Sequence, residues 1–175
     1  MFRNLFLVRV TGAAPAERVV HADALSTTTI VPVPSVEAAV AVASAFGEVD
    51  LVELYGGLGT RAAAAVLEVA PGVPVGHPGP DLPPVRSAVL FEDPVAARWT
   101  FGATTVVTVP SVDEVVSAAV SLVSAGAERV ELCGGMGPTV ATAVAAVVDV
   151  PVTTVLFGFE SLPAAAAYRA RFEAS

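Results

Sequence analysis

Two stretches decide how this chain folds: Val52-Glu-Leu-Tyr-Gly-Gly-Leu-Gly59 and Val130-Glu-Leu-Cys-Gly-Gly-Met-Gly137. Each reads as an apolar strand running into a glycine turn. Their flanks match as well. Upstream, Val31-Pro-Val-Pro-Ser-Val-Glu-Ala-Ala-Val40 parallels Val107-Thr-Val-Pro-Ser-Val-Asp-Glu-Val-Val116; downstream, Val73-Pro-Val75 parallels Val150-Pro-Val152. Order and spacing agree each time, which predicts one unit written twice. The units are residues 1–80 and 81–175, joined by the proline-rich stretch Gly76–Pro84.

Each half reads as strand, connection, strand, helix, strand, glycine loop, helix, strand. The expected strands are about Leu5–Val10, Thr27–Val33, Leu51–Leu54 and Val73–Val75, then Ala88–Phe91, Thr105–Val109, Arg129–Leu132 and Val152–Phe157. They are nearly continuous apolar runs, as strands buried on both faces should be. Ser35 and Ser111 stand where helix N-caps belong. Second-half helices are expected at Ser111–Ser124, Thr139–Val147 and Pro163–Phe172. The fold class is therefore α/β, a duplicated βαβ-rich unit with mainly parallel strands. A compact (β/α)8-like barrel of two half-barrels is the leading expectation, because closure removes edge strands. An open parallel α/β sheet, or two small packed sheets, is the alternative. It is favoured by a chain of 175 residues and by connections around Gly76–Pro84 and Asp93–Ala103 that are too short for helices.

Composition narrows the function. With 54% hydrophobic and 15% charged residues, the chain is not of the disordered class. Its longest uncharged run, Leu132–Val148, carries three glycines and a proline, so it does not read as a membrane span. Leu5–Val8, between Arg3 and Arg9, is too short for a signal-peptide core, and a cytoplasmic protein is expected. There is no lysine, which removes Schiff-base chemistry and a Walker-type phosphate site. A net charge of −8 argues against nucleic-acid and anionic-membrane partners. One cysteine and two histidines without ligand spacing give no metal site, and no cofactor is expected.

The chemical content sits at the repeated motif. Glu53 and Glu131 lie inside apolar strands, three positions before the first glycine of each loop. A buried carboxylate needs a partner, a proton or water. By strand alternation Glu53 shares a face with Tyr55, and Glu131 shares one with Cys133. If the two glutamates meet in one cavity, repulsion and desolvation raise at least one pKa and suit it to acid–base work. The bland alternative is an ion pair with Arg9, Arg86 or Arg129. Gly56, Gly57, Gly59, Gly134, Gly135 and Gly137 would bring backbone N–H groups close to an anionic ligand. His21 and His77 lie at C-terminal strand ends, His21 with Asp23 nearby, and are weaker acid–base candidates. Arg9 and Glu92 hold equivalent strand-end positions and could pair. Cys133 reads as a small buried hydrophobe before it reads as a nucleophile.

At Glu131-Leu-Cys-Gly-Gly-Met-Gly-Pro138 the chain resembles a bacterial domain-of-unknown-function family, number 6506. The resemblance extends over both halves, which implies a tandem fusion of two family domains whose single-unit relatives pair as dimers. It implies no activity. The first half departs from the pattern at Tyr55, where the family has Cys, and at Thr60, where it has Pro. After Gly12-Ala-Ala-Pro15 the family's His position reads Arg18, with His21 further on. Such asymmetry implies one shared or surviving site.

Three functions follow as expectations. The first is a small-molecule enzyme of the proton-transfer type, an isomerase, lyase or cyclase, with Glu53 and Glu131 as acid and base. The second is a non-catalytic module binding a small anionic metabolite at the glycine loops. The third is a structural or interaction protein forming a homo-oligomer such as a homodimer.

Overall fold

The computed structural model describes residues 1–174. The first half supplies β1 (Phe2–Arg9), β2 (Val19–Ala22), β3 (Ser26–Val33), α1 (Val36–Ala45), β4 (Leu51–Tyr55), α2 (Thr60–Val69) and β5 (Val75–His77). The second supplies β6 (Ser87–Glu92), β7 (Arg98–Phe101), β8 (Thr104–Val109), α3 (Val115–Ser124), β9 (Arg129–Leu132), α4 (Gly137–Ala145), β10 (Val152–Thr154), β11 (Leu156–Phe157) and α5 (Leu162–Glu173).

These strands make two mainly parallel sheets, ordered β11-β5-β4-β1-β3-β2 and β10-β9-β6-β8-β7. Leaving β11 aside, the two orders correspond strand for strand. In each, the second strand of the half is short and runs antiparallel to the third, β2 to β3 and β7 to β8. The Asp93–Ala103 connection, too short for a helix, thus contains a strand instead. β2 and β7 take the outer edges, and no ladder among the described residues links the sheets into the eight-stranded ring expected from the strand count. The alternative of two packed sheets describes the ladders better.

Alternation along the strands divides the core. Leu5, Leu7, Val31, Val33, Val52 and Leu54 face out against α1 and α2, where Val36, Ala39, Ala62 and Val66 are buried. Phe6, Val8, Ile30 and Tyr55 face in and share a cluster with Val89 and Phe91 of the second sheet. Phe6 meets Phe91 edge-on at 5.2 Å between ring centroids, so the two sheets pack directly on each other. Continuous apolar strands follow from this: each is covered by helices on one side and by a sheet on the other.

One expected strand breaks. The run Val152–Phe157 leaves β10 beside β9 in the second sheet, turns at the buried Val155, and enters β11 antiparallel to β5 of the first. The chain then returns as α5 to the start of β1, where Tyr168 and Phe172 pack on Phe2.

The two expected serine caps differ. Ser35 Oγ accepts from Ala38 N at 3.3 Å and caps α1. Ser111 caps no amide; its hydroxyl meets Glu114, and a turn of 3₁₀ helix at Val112–Glu114 precedes α3. Thermal or urea unfolding checks the difference. Ser35→Ala should lower stability by about 1 kcal/mol, and Ser111→Ala by no more than about 0.5 kcal/mol.

Candidate functional site

β4 and β9 carry Glu53 and Glu131 inward, into the seam between the sheets, where they are 2% and 1% exposed. Both lie in a packed seam, not in the mouth of a barrel. Their partners cross over. Glu53 Oε1 accepts from Gly134 N at 3.1 Å, and Glu131 Oε2 accepts from Gly56 N at 2.9 Å. Gly56 and Gly134 are the first glycines of the two motifs, so each glutamate holds the glycine loop of the other half.

The remaining oxygens are held differently. Glu131 Oε1 pairs with Arg129 Nε at 2.9 Å, two residues back on the same strand face. Arg129 is itself buried and donates to Pro83 O at 3.0 Å and Ser87 Oγ at 3.1 Å. This is the ion pair of the bland alternative, made with one of the three arginines it named. Glu53 has no arginine. Its Oε2 accepts from the Tyr55 hydroxyl, two residues ahead on the same face. Burial pushes the Glu53 carboxyl up to about 7, with the Tyr55 hydroxyl and the Gly134 amide pulling the other way. The cause is desolvation rather than repulsion between the glutamates. Burial also raises Tyr55 and lifts the Cys133 thiol to about 12, so Cys133 stays a protonated, buried side chain.

The first glycine loop is filled by the chain itself. A side chain at Gly56, which has φ +71°, would strike the Arg9 backbone, and one at Gly59 would strike Pro80 and Asp81. The proline-rich join lies over the loop as a strap. Asp81 accepts from Gly59 N at 3.3 Å and Arg61 N at 3.2 Å, at the start of α2. Leu82 N donates to Gly57 O at 3.1 Å. Arg9 donates to Gly56 O at 3.2 Å and to Leu82 O, not to Glu92 as expected. Burial, with Arg129 nearby, lowers its pKa. An anion is thus present at this helix start, supplied by the linker. The second loop lies more open: Gly135 is exposed, and Gly134 and Gly137 are half-buried.

The histidines stand apart from the glutamates. His77, on the opposite face of β5 from Gly76, bonds locally to Gly79. His21 faces inward from β2, with its Nε2 2.9 Å from Asp93 Oδ1, a close contact without hydrogen-bond alignment. Trp99 of β7 packs edge-on against its ring. Its acidic neighbour is Asp93, 72 positions away, and not Asp23, which bonds Leu25 N and Ser26 N. Asp93, Asp81 and Arg129 are the site residues that motif reading underweights. Only Arg129 had a local signal, its place two residues before Glu131. A cavity of about 240 Å³ is lined by Pro15, Arg18, Val31, Val42, Ala45 and Phe46, and touches neither glutamate.

The raised Glu53 pKa sets a pH dependence. Between its ordinary 4.5 and about 7, the folded chain holds a proton that the unfolded chain has released. Stability therefore falls as pH rises through that window, by roughly 3 kcal/mol for this one group. Urea unfolding from pH 4.5 to 8 should show the fall in the wild type and a flatter profile in Glu53→Gln. Superimposable profiles would refute it.

Residues 92–170, from the end of β6 into α5, match the model of a family of unknown function, DUF6506; the match includes the second glutamate–glycine motif. No curated protein and no solved structure matches the chain.

Proposed function

We propose that the glutamate–glycine motif is a homotypic docking element: it mates two copies of one βαβ unit into a two-sheet body, here within a single chain. The observation that carries this is the reciprocal pair of bonds, Glu53 to Gly134 and Glu131 to Gly56. Each is buried, each crosses the seam, and each uses the same motif positions. The corresponding strand orders of the sheets support a duplicated unit over residues 1–80 and 81–175. On this reading a lone unit takes a second copy as its partner, and glycine is needed at Gly56 because the Arg9 backbone lies against it.

Docking predicts two distinct losses. Glu131→Gln leaves the buried Arg129 guanidinium without its counter-charge and should cost about 3–5 kcal/mol of unfolding free energy. Glu53→Ala strands the Tyr55 hydroxyl and the Gly134 amide and should cost about 2–4 kcal/mol. Amide hydrogen exchange at Gly56 and Gly134 reports the seam directly. Wild-type stability and undiminished protection of both amides in both variants would overturn the reading.

A second reading has one observation in its favour: Glu53 is buried without a cation and titrates near neutrality. Such carboxyls occur at acid–base sites. It makes the chain a proton-transfer enzyme for a small carbonyl or carboxylate compound, an isomerase, lyase or cyclase, with Glu53 alone as the working group and Glu131 structural. Solvent-deuterium incorporation into a panel of such compounds tests it. Exchange should show a midpoint near pH 7 and vanish in Glu53→Gln. Equal exchange by that variant, or none across the panel, removes it.

A further inference from the structure

We propose that the cavity beside Arg18 is a binding site for a short-chain aliphatic monocarboxylate, with the Arg18 guanidinium holding the carboxylate at the rim and the chain buried against β3 and α1. This goes beyond both readings of the glutamates and depends on neither.

The fold leaves this space open for a definite reason. α1 packs across β1 and β3, and beyond it the outward face of β3 is roofed by the connection 10–18, whose turn of 3₁₀ helix at Pro15–Glu17 packs on β3. Between helix and turn lies the cavity of about 240 Å³, lined by Pro15, Arg18, Val31, Val42, Ala45 and Phe46. Val31 is its floor at 1% exposed, Val42 and Phe46 are half-buried, and Pro15, Arg18 and Ala45 stand exposed at the rim. Of these side chains Arg18 alone is polar, and its guanidinium has no hydrogen-bond or ion-pair partner among the described residues.

The position of this arginine is repeated. In the first half Val19 of β2 lies opposite Ile30, so Arg18, one residue earlier, stands level with Val31. In the second, Arg98 of β7 lies opposite Val107, which the repeat equates with Val31. Both arginines point outward, since the residues that follow them, Val19 and Trp99, pack on the inward cluster. Arg98 too rims a cleft, of about 40 Å³, and Leu122, which the repeat equates with Phe46, lines it. The second connection, residues 93–97, is shorter and carries no helical turn, which leaves its cleft shallow.

The walls define the ligand class. At about 30 Å³ per heavy atom, the share of a water molecule in the liquid, 240 Å³ holds roughly eight. One guanidinium balances one negative charge, and its fork matches a carboxylate through paired hydrogen bonds. The free carbonyls that close α1 near Ala45 and Phe46 repel an anion, so the chain lies along the helix end and the carboxylate turns to Arg18. A net charge of −8 works against anion binding by bulk attraction, so capture here is local. Hexanoate, with six carbons and two oxygens, meets these conditions.

Titration of hexanoate into the whole chain, followed by amide NMR and by the Arg18 side-chain Nε signal, tests this. A dissociation constant of about 1 mM is expected, with shifts at Val31, Phe46 and Arg18 Nε. 1-Hexanol, with the chain but no charge, and acetate, with the charge but no chain, should each bind at least about tenfold more weakly. Arg18→Gln should weaken hexanoate at least about tenfold, whereas Arg98→Gln, the same loss of charge at the shallow cleft, should leave it within about twofold. Absence of saturating shifts up to about 20 mM hexanoate would overturn the proposal. So would equal weakening by the two variants, which marks a bulk charge effect, or hexanol binding as tightly as hexanoate, which leaves Arg18 without a role.

Discussion

The seam between the sheets depends on two carboxylates that cannot be buried alone. An ionised side chain in an apolar seam is costly unless its oxygens are occupied. Here each glutamate finds an amide on the far side, so the requirement of one half is met by the loop of the other. The crossed bonds fix the register, because Gly56 and Gly134 each offer one N–H in one direction. The glycine loops follow from the same constraint: a loop whose amide must enter the seam has to lie flat against its neighbour, and Gly56 lies against the Arg9 backbone.

The two copies of the motif solve one problem with different chemistry. In the second half Arg129 stands 2.9 Å from its glutamate, a buried pair on one strand face. In the first half the residue at the corresponding position is Leu51, and a phenol two places ahead does the bonding instead. Neutral donors leave the desolvation dominant, and burial pushes the Glu53 carboxyl up to about 7. The first loop is also strapped by Asp81 and Leu82, while Gly135 of the second is exposed. Matching sequence motifs therefore frame two unlike environments.

Much of the fold was legible because it is local and repetitive. The strands at Thr27–Val33 and Arg129–Leu132 fall within a residue of β3 and β9, since continuous apolar runs ending at turn signals leave little choice. β2 and β7 were not read. They are four-residue edge strands, and their inward residues, His21 in one and Trp99 and Phe101 in the other, look like loop residues in sequence. The break at Val155 was hidden by an unbroken apolar run. At the site, strand alternation correctly placed Glu53 with Tyr55, and Arg129 stood among the foreseen partners of a glutamate. The crossing to the opposite glycine loop, the Asp81 strap and the Asp93 contact of His21 all join distant segments, and no local pattern announces them.

The turn at Val155 gives the two sheets the mechanics of a bound book. Along that rim one strand passes from the second sheet into the first, so the covers share a spine of continuous backbone. Along the fore-edge the two meet through side chains, His21 against Asp93 and Trp99. Force or heat that parts the covers works against side-chain contacts on one side and a covalent hinge on the other.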